Sequence, residues 1–232
     1  MAVVGIKTDG NPEQKELIRL IMEKEGSGHG IIICTGNAGT GKNYVSLAAA
    51  LQCLIEKKYQ TIYYGRNPVQ CGEEMGFLAG DLDDKYEPFL EPLKDNIKAI
   101  AQCHGISVGD AMNKIIALPI AFLRGRSLDQ SIIIIDECQN LDLNTLQTII
   151  TRKGKWSKLI LLGSYNQIDD SKQLRYEKCD FEELTNHLTT LFPDYVAHIT
   201  LYKSMRDEMT AELDNACFEL KTKLARERNN KR

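Results

Sequence analysis

A glycine-rich segment with a single lysine, Gly36-Asn-Ala-Gly-Thr-Gly-Lys42, has the residue types and spacing that suit phosphate chemistry. Its glycines let consecutive backbone N–H groups point inward, the start of a following helix adds a positive dipole, and Lys42 adds a full charge. A plain glycine turn is the alternative, but a turn needs no lysine at that offset. We therefore expect a nucleotide to bind at Gly36, Asn37, Ala38, Gly39, Thr40, Gly41, Lys42, Asn43 and Tyr44.

The residue after the lysine departs from the usual pattern of such loops. Ser or Thr is expected there, because its hydroxyl ligates the Mg²⁺ that bridges the phosphates, and this chain has Asn43. An amide oxygen is a ligand that Mg²⁺ accepts, but it lies one bond further from the backbone, and the ion tolerates little departure from an octahedron near ~2.1 Å. We expect Asn43 to be a weakened metal ligand, with nucleotide binding retained.

Two adjacent acids, Asp136 and Glu137, follow the apolar run at residues 131–135 (SIIII). Asp136 is predicted to organise Mg²⁺, and Glu137 to be the catalytic base that orients the attacking water. Such a pair could also be the start of a loop, but an ATPase needs these acids after a buried strand about a hundred residues beyond its phosphate loop. We expect the pair on the strand next to the phosphate-loop strand.

Apolar runs of strand length alternate with longer amphipathic stretches, which is typical of βα units that build a parallel sheet. The sequence predicts a long loop at 65–80, and a last helix that begins at Ser204 and packs on the sheet through Met205, Met209, Leu213, Cys217, Leu220 and Leu224. Strands are predicted at 30–35, 61–64, 131–135, 158–162 and 196–201, and the other helices at 13–24, 44–56, 84–102, 107–116, 141–152 and 181–188.

Composition indicates a folded protein that is not strongly basic. The chain has 232 residues, 43% of them hydrophobic, with 29 Lys and Arg against 32 Asp and Glu. That length fits one α/β domain, and the net charge of -3 excludes the class of proteins that coat nucleic acid through overall positive charge. Basic residues gather near the C-terminus, where a solvated helix end is the simpler interpretation: Lys221, Lys223, Arg226, Arg228, Lys231 and Arg232.

No secretory signal and no apolar run of membrane-spanning length is present in the sequence, and the seven cysteines are scattered without a CxxC pair. We expect a soluble cytoplasmic protein with reduced thiols and no membrane partner. The whole of residues 1–232 is expected to be one domain, with a core at 11–210 and a basic C-terminal helix end at 211–232.

Four longer segments resemble motifs of the PhoH family of ATPases, in the order of that family and over about residues 11–210. Asp136-Glu-Cys-Gln-Asn140 resembles its DEAQN signature, and Phe122-Leu-Arg-Gly-Arg126 its M-R-G-R element. Arg66-Asn-Pro68 with Gly72-Glu-Glu-Met-Gly-Phe-Leu-Ala-Gly-Asp81 resembles its R-x-P...GE-x-x-G-F-L-x-GD segment. Gly163-Ser-Tyr-Asn-Gln-Ile-Asp169 is similar to GD-x-x-QID, with Ser164 in place of the aspartate.

The resemblance implies a three-layer α/β/α sandwich of the RecA-like P-loop NTPase type, related to the superfamily-one helicase core, with ATP at the carboxyl ends of mainly parallel strands. Gln167 would contact the γ-phosphate or its attacking water, and Ser164 removes a partner acid. Arg206 would stabilise charge on the γ-phosphate, in its own or a neighbouring subunit, although a surface ion pair is the competing interpretation. Asn11-Pro-Glu-Gln14 resembles the motif whose glutamine contacts adenine.

The function implied is an ATPase that uses ATP and Mg²⁺ and is linked to nucleic acid, with RNA favoured. A helicase-like motor and a homo-oligomer such as a hexameric ring are part of that expectation. Arg66, Arg124, Arg126 and the basic tail would contact nucleic-acid phosphates, or pair with acids of the protein itself. The alternative is a nucleotide-binding interaction or assembly module in which Asn43 and Ser164 impair hydrolysis.

Overall fold

Six parallel strands form one sheet in the computed structural model of the chain. The structure describes residues 11–23, 28–66, 82–104, 107–123, 125–165, 167, 179–205 and 208–229. The strands are β1 (Ile31–Gly36), β2 (Thr61–Arg66), β3 (Ile115–Ala117), β4 (Ser131–Asp136), β5 (Lys158–Gly163) and β6 (Val196–Leu201). Their order across the sheet is β3-β2-β4-β5-β1-β6.

Helices cover both faces of this sheet. The first face packs against α1 (Pro12–Met22), α2 (Lys42–Ile55), α3 (Leu82–His104) and α4 (Val108–Met112), and the second against α5 (Leu143–Ile150) and α6 (Asp180–Leu191). Short 3-10 turns lie at Ile120–Leu123 and Cys138–Asn140, and the last helix is α7 (Glu208–Asn229). The predicted three-layer α/β/α sandwich with a RecA-like parallel sheet is confirmed.

The central strands are apolar along their whole length because both faces of each strand are covered. In β1, Ile32 and Cys34 pack into the core under α2, while Ile33 packs into the core that contains Phe181 of α6. The near-continuous apolar runs that predicted these strands are thus explained by two-sided burial. The acid pair ends β4, and β5 separates β4 from β1, so the expectation that the acids lie on the strand next to β1 was wrong.

A buried lysine fixes the C-terminal end of α1 to the sheet. Lys158 is fully buried, and its Nζ donates to the carbonyl oxygens of Leu20 and, at 2.7 Å, of Glu23. The last carbonyls of a helix have no partner within the helix, and the helix dipole makes that end negative, which is why a cation is stabilised there. Nothing in the sequence analysis anticipated this contact.

The helix predicted at 107–116 is two elements, which corrects the sequence prediction. Helix α4 ends at Met112, and Ile115–Ala117 forms the edge strand β3, in which Ile115 is the register partner of Ile62. Periodicity alone does not distinguish a short apolar strand from one turn of helix. At the end of β2 the strand continues to Arg66, so Gly65 and Arg66 are not loop, and the remainder of that predicted loop lies outside the described residues.

The last helix does not pack on the sheet, so that prediction was wrong. It begins at Glu208 rather than Ser204, and Met205, Met209, Leu213, Cys217, Leu220 and Leu224 are exposed. The reason is that α1 and α6 already contact β6, the edge strand that the helix would have had to cover. An apolar stripe shows which face of a helix avoids water, but it does not show what covers that face.

Candidate nucleotide-binding site

A cavity of about 300 Å³ lies at the carboxyl ends of the strands, where the loops of a parallel α/β sheet carry binding sites. It brings together most of the site residues that the sequence predicted. Its lining comprises Ala38, Gly39, Gly41, Lys42, Asn43, Tyr44, Arg66, Pro92, Asn96, Asp136, Glu137, Gly163, Ser164 and Gln167.

The loop between β1 and α2 has the backbone conformation of a phosphate cradle. Gly36 has φ 151° and Gly41 has φ 86°, and a residue with a side chain would be strained at either value. In addition, a Cβ at Gly36 would collide with the carbonyl oxygen of Leu201. Thr40 closes the loop by donating from Oγ1 to the carbonyl oxygen of Asn37 at 2.9 Å. Helix α2 then begins at Lys42, so its first N–H groups open toward the loop.

Lys42 lies inside this loop. Its Nζ donates to the carbonyl oxygens of Gly36 at 2.6 Å and Asn37 at 2.9 Å. Both contacts keep the ammonium group among the loop amides, so its full charge adds to the partial charges at the start of α2.

Two outer segments of the chain contact the loop. Gln14 of α1 is buried, and its Nε2 donates to the carbonyl oxygen of Thr40 at 3.1 Å. The backbone N–H of Met205, after β6, donates to the carbonyl oxygen of Gly39 at 2.8 Å. The predicted contact of Gln14 with adenine stays a prediction, and Arg206, the neighbour of Met205, lies outside the described residues.

Asp136 accepts hydrogen bonds in the cavity from two donors that belong to other elements. Its Oδ2 accepts from Asn43 Nδ2 at 2.8 Å and from the hydroxyl of Tyr64, on β2, at 3.0 Å. Asn43 Nδ2 also donates to the Tyr64 hydroxyl at 2.7 Å, which closes a three-membered network. Burial raises the pKa of Asp136, and the neighbouring charge of Glu137 raises it further. Burial and the charge of Asp136 likewise raise the pKa of Tyr64.

Glu137, whose backbone is left-handed with φ 58°, contacts a second set of partners. Its Oε1 forms an ion pair with Arg66 Nη2 at 3.1 Å, and its Oε2 accepts from Gln139 Nε2 at 2.7 Å. Gln139 Nε2 also donates to the carbonyl oxygen of Gln167 at 3.0 Å, and Gln139 Oε1 accepts from the N–H of Ser164 at 3.0 Å. The buried Gln139 amide therefore joins the predicted base to the segment that follows β5.

The residues present fit a magnesium ion after one rearrangement. No three His, Cys, Asp or Glu side chains gather into a metal site within the described residues, so a cation would rely on phosphates, water and one or two protein oxygens, which is how Mg²⁺ usually binds. Asp136 offers such an oxygen. Asn43 directs its nitrogen at Asp136, while its buried Oδ1 has no partner among the described residues. A half-turn of the amide would present Oδ1 instead.

Tyr64 and Gln139 are site residues that the sequence analysis missed. Tyr64 stands two residues before Arg66, on the same side of a strand that ends at the site, and Gln139 lies within the quoted DECQN segment. Those two positions were the features of the sequence that could have identified Tyr64 and Gln139 as site residues. The contacts could not be anticipated, because they depend on β2 being beside β4 and on Ser164 following β5.

These features define a P-loop NTPase. A glycine loop that contains a lysine lies between a buried strand and a helix of a RecA-like sheet, and an acid pair faces that loop. The family model described as PhoH-like protein matches residues 6–217, so the chain belongs to that family. A PhoH-like protein of Synechocystis sp. is 35% identical over 67% of this chain and 46% of its own length. One from Bacillus subtilis is 32% identical over 74% and 51%. The chain thus spans about half the length of the curated relatives it matches.

Two solved structures are similar to the chain at low scores. The SWI2/SNF2 ATPase core of Sulfolobus solfataricus in complex with dsDNA is 17% identical, with a TM-score of 0.47, over 88% of this chain and 47% of that one. The Pif1 helicase of Candida albicans is 16% identical, with a TM-score of 0.39, over 84% of this chain and 40% of that one.

None of the helices among the described residues has the length and apolar character needed to cross a bilayer.

Proposed function

We propose that this chain binds ATP in the cavity between the loop at 36–42 and the acid pair, and hydrolyses it. The observation that carries the proposal is the hydrogen bond from Asn43, the second residue of α2, to Asp136, the last residue of β4. It brings the phosphate loop and the acids together although a strand lies between β1 and β4. The match to the PhoH-like family supports the same assignment.

In the proposed reaction the loop amides and Lys42 hold the β- and γ-phosphates, and Glu137 orients a water molecule for in-line attack on the γ-phosphorus. The bond from that phosphorus to the β–γ bridging oxygen breaks, ADP is the leaving group, and the proton of the water passes to the Glu137 carboxylate. Gln167 lines the same cavity and is proposed to contact that water or the γ-phosphate. Mg²⁺, held by Asp136 and a turned Asn43, would neutralise charge that develops on the phosphate oxygens. Arg206 is proposed to add positive charge there, from its own or a neighbouring subunit.

Coupling to nucleic acid, with RNA favoured, is a further part of the proposal, as is assembly into a homo-oligomer. Arg66 pairs with the predicted base inside the cavity, which is the alternative role that the sequence left open for it, and this pair offers a way to couple nucleic acid to hydrolysis. A nucleic-acid phosphate that draws Arg66 away would release Glu137 to act on water. Arg126 is exposed and is proposed as a second phosphate contact, while Arg124 lies outside the described residues.

A nucleotide-binding module that hydrolyses poorly is the second candidate, and two observations favour it. Asn43 directs a donor rather than a ligand at Asp136, and Ser164 stands where the quoted family motif has an acid. The buried hydroxyl of Ser164 has no partner in the part of the chain that the structure describes. Both features predict slow turnover with nucleotide binding intact.

The test measures ATP binding by calorimetry and phosphate release with and without single-stranded RNA. Glu137→Gln should bind ATP as the parent does and lose at least about 100-fold in hydrolysis, since a positioned base contributes about 10²–10⁴-fold. Glu182→Gln, an exposed acid on α6, is the matched control and should change neither property. Measurable binding without turnover selects the second candidate, and the absence of any heat with adenine nucleotides refutes both.

A further inference from the structure

The Asn43 amide nitrogen takes the position that a second ligand of a cation at Asp136 would need. Its Nδ2 lies 2.8 Å from Asp136 Oδ2, and two ligands at adjacent corners of a Mg²⁺ octahedron with bonds near ~2.1 Å are roughly 3 Å apart. The amide nitrogen therefore stands where a second ligand oxygen would stand. A nitrogen that carries two hydrogens donates to the carboxylate and cannot ligate a metal.

The network fixes which end of the amide faces the acid. An ionised carboxylate only accepts hydrogen bonds, and the Tyr64 hydroxyl already spends its one hydrogen on Asp136 Oδ2 at 3.0 Å. Tyr64 can therefore only accept from Asn43, as it does at 2.7 Å. Both hydrogens of Nδ2 are thus used, one on each partner. The turned amide would place Oδ1 against a carboxylate oxygen with no hydrogen between them.

Burial makes the loss of either hydrogen bond of the Asn43 amide costly. Tyr64 is fully buried, and 7% of the surface of Asp136 is exposed, so water does not readily replace a lost hydrogen bond. A Ser or Thr at position 43 would not contact both partners in this way, because a hydroxyl carries only one hydrogen. The competition between amide and cation is therefore a property of this chain's own residue at position 43.

We infer that the Asn43 amide substitutes for the divalent cation at Asp136, so that this chain binds adenine nucleotides without requiring Mg²⁺, and that Tyr64 is the positioning residue that holds the amide in that orientation. The inference rests on the proposed nucleotide binding and deepens it. The partial positive charge of the NH₂ group faces the carboxylate, while the loop amides and Lys42 hold the phosphates. Mg²⁺ binds only when the amide turns and both hydrogen bonds are given up.

The test is calorimetric titration of ATP into the chain in EDTA and in excess Mg²⁺. For the parent we expect the two dissociation constants to agree within about 3-fold, whereas for Asn43→Thr binding should be at least about 10-fold tighter with Mg²⁺, a difference of about 1.4 kcal/mol. Asn186→Thr, an exposed position on α6, is the matched control and should behave as the parent does. Asn43→Ser provides a second hydroxyl variant if Asn43→Thr does not fold.

Tyr64→Phe tests the positioning role separately. Removing the hydroxyl leaves one hydrogen of Nδ2 without its acceptor and makes the half-turn easier, so a Mg²⁺ preference should appear, smaller than in Asn43→Thr. A merely structural role for Tyr64 would weaken binding equally with and without Mg²⁺, and that result would overturn the role.

The two proposals fail in different ways. ATP binding by the parent that requires Mg²⁺ would overturn the substitution while leaving nucleotide binding intact. The same outcome follows if Asn43→Thr shows no greater Mg²⁺ preference than the parent. No heat from ATP in either buffer would overturn the proposed function itself.

Discussion

Arg66 Nη2 and Glu137 Oε1 form an ion pair at 3.1 Å, at the carboxyl ends of the neighbouring strands β2 and β4. The carboxylate proposed as the base is thus held by a cation from another strand. A carboxylate shared with a cation is a weaker acceptor for a water proton, so the pair restrains the proposed reaction. Because both side chains are partly exposed, the restraint is modest, about 1 kcal/mol.

Arg66→Gln should therefore raise basal phosphate release up to about 5-fold, which is the rate equivalent of 1 kcal/mol, and should remove any stimulation by RNA. Steady-state hydrolysis with and without single-stranded RNA measures both effects. Arg19→Gln is the matched control, since Arg19 on α1 forms exposed ion pairs with Glu16 and with Glu23, the residue that follows the helix. Stimulation that persists in Arg66→Gln would show that Arg66 does not couple RNA to hydrolysis.

Gln139→Leu should lower kcat about 10- to 100-fold and leave KM for ATP within about 2-fold, because the amide positions Glu137 and Ser164 without lining the phosphate loop. Steady-state kinetics separate the two constants. Gln147→Leu, on the exposed side of α5, should change neither. A rise of about 10- to 100-fold in KM with unchanged kcat would show instead that Gln139 contributes to ATP binding.

Lys158→Met should destabilise the fold by about 1–3 kcal/mol, the usual cost of leaving buried polar groups unsatisfied, because the carbonyl oxygens of Leu20 and Glu23 lose their donor. Urea unfolding followed by circular dichroism measures the change. Lys98→Met removes an exposed ion pair with Asp95 and should cost less than about 0.5 kcal/mol. Equal costs for the two variants would contradict a capping role for Lys158.

His198 should make the protein less stable in mild acid. His198 lies exposed on the edge strand β6 but is partly desolvated, which lowers its pKa below the ordinary value of 6.5, and its Nε2 lies 2.8 Å from Thr35 Oγ1. The folded state therefore favours the neutral ring, and the stability this contributes is present above pH 6.5 and is lost as the pH falls through the folded pKa. Melting temperatures between pH 8 and about pH 5 should fall less steeply for His198→Gln than for the parent. Parallel curves would refute the assignment.

Local features of the site were predictable from the sequence, and long-range ones were not. The loop at Gly36–Lys42 and the acid pair at the end of β4 could be located in the sequence because each is contiguous and adjoins an apolar strand. Their separation by β5 is a matter of strand order, which depends on how the whole chain packs. For that reason the network around Tyr64, the bridge through Gln139 and the buried Lys158 were all missed.

The fold class was predicted correctly because two-sided burial leaves apolar runs that need no tertiary information. The errors arose where a pattern was locally ambiguous. Residues 115–117 form a strand because they pair with β2, and α7 leaves its stripe exposed because other helices already contact β6. In both cases the structure depends on contacts with segments that are distant in the sequence, and a window of about a dozen residues does not contain those segments.

The positive φ of Glu137 limits which replacements at that position can be interpreted. Gln keeps the length and polarity of the side chain, and Asn or Gly relieves the backbone, whereas Val or Ile would strain the turn before any chemistry was altered. Loss of activity in a β-branched variant would therefore report on the shape of the main chain. Only the polar, unbranched replacements isolate what the carboxylate itself contributes.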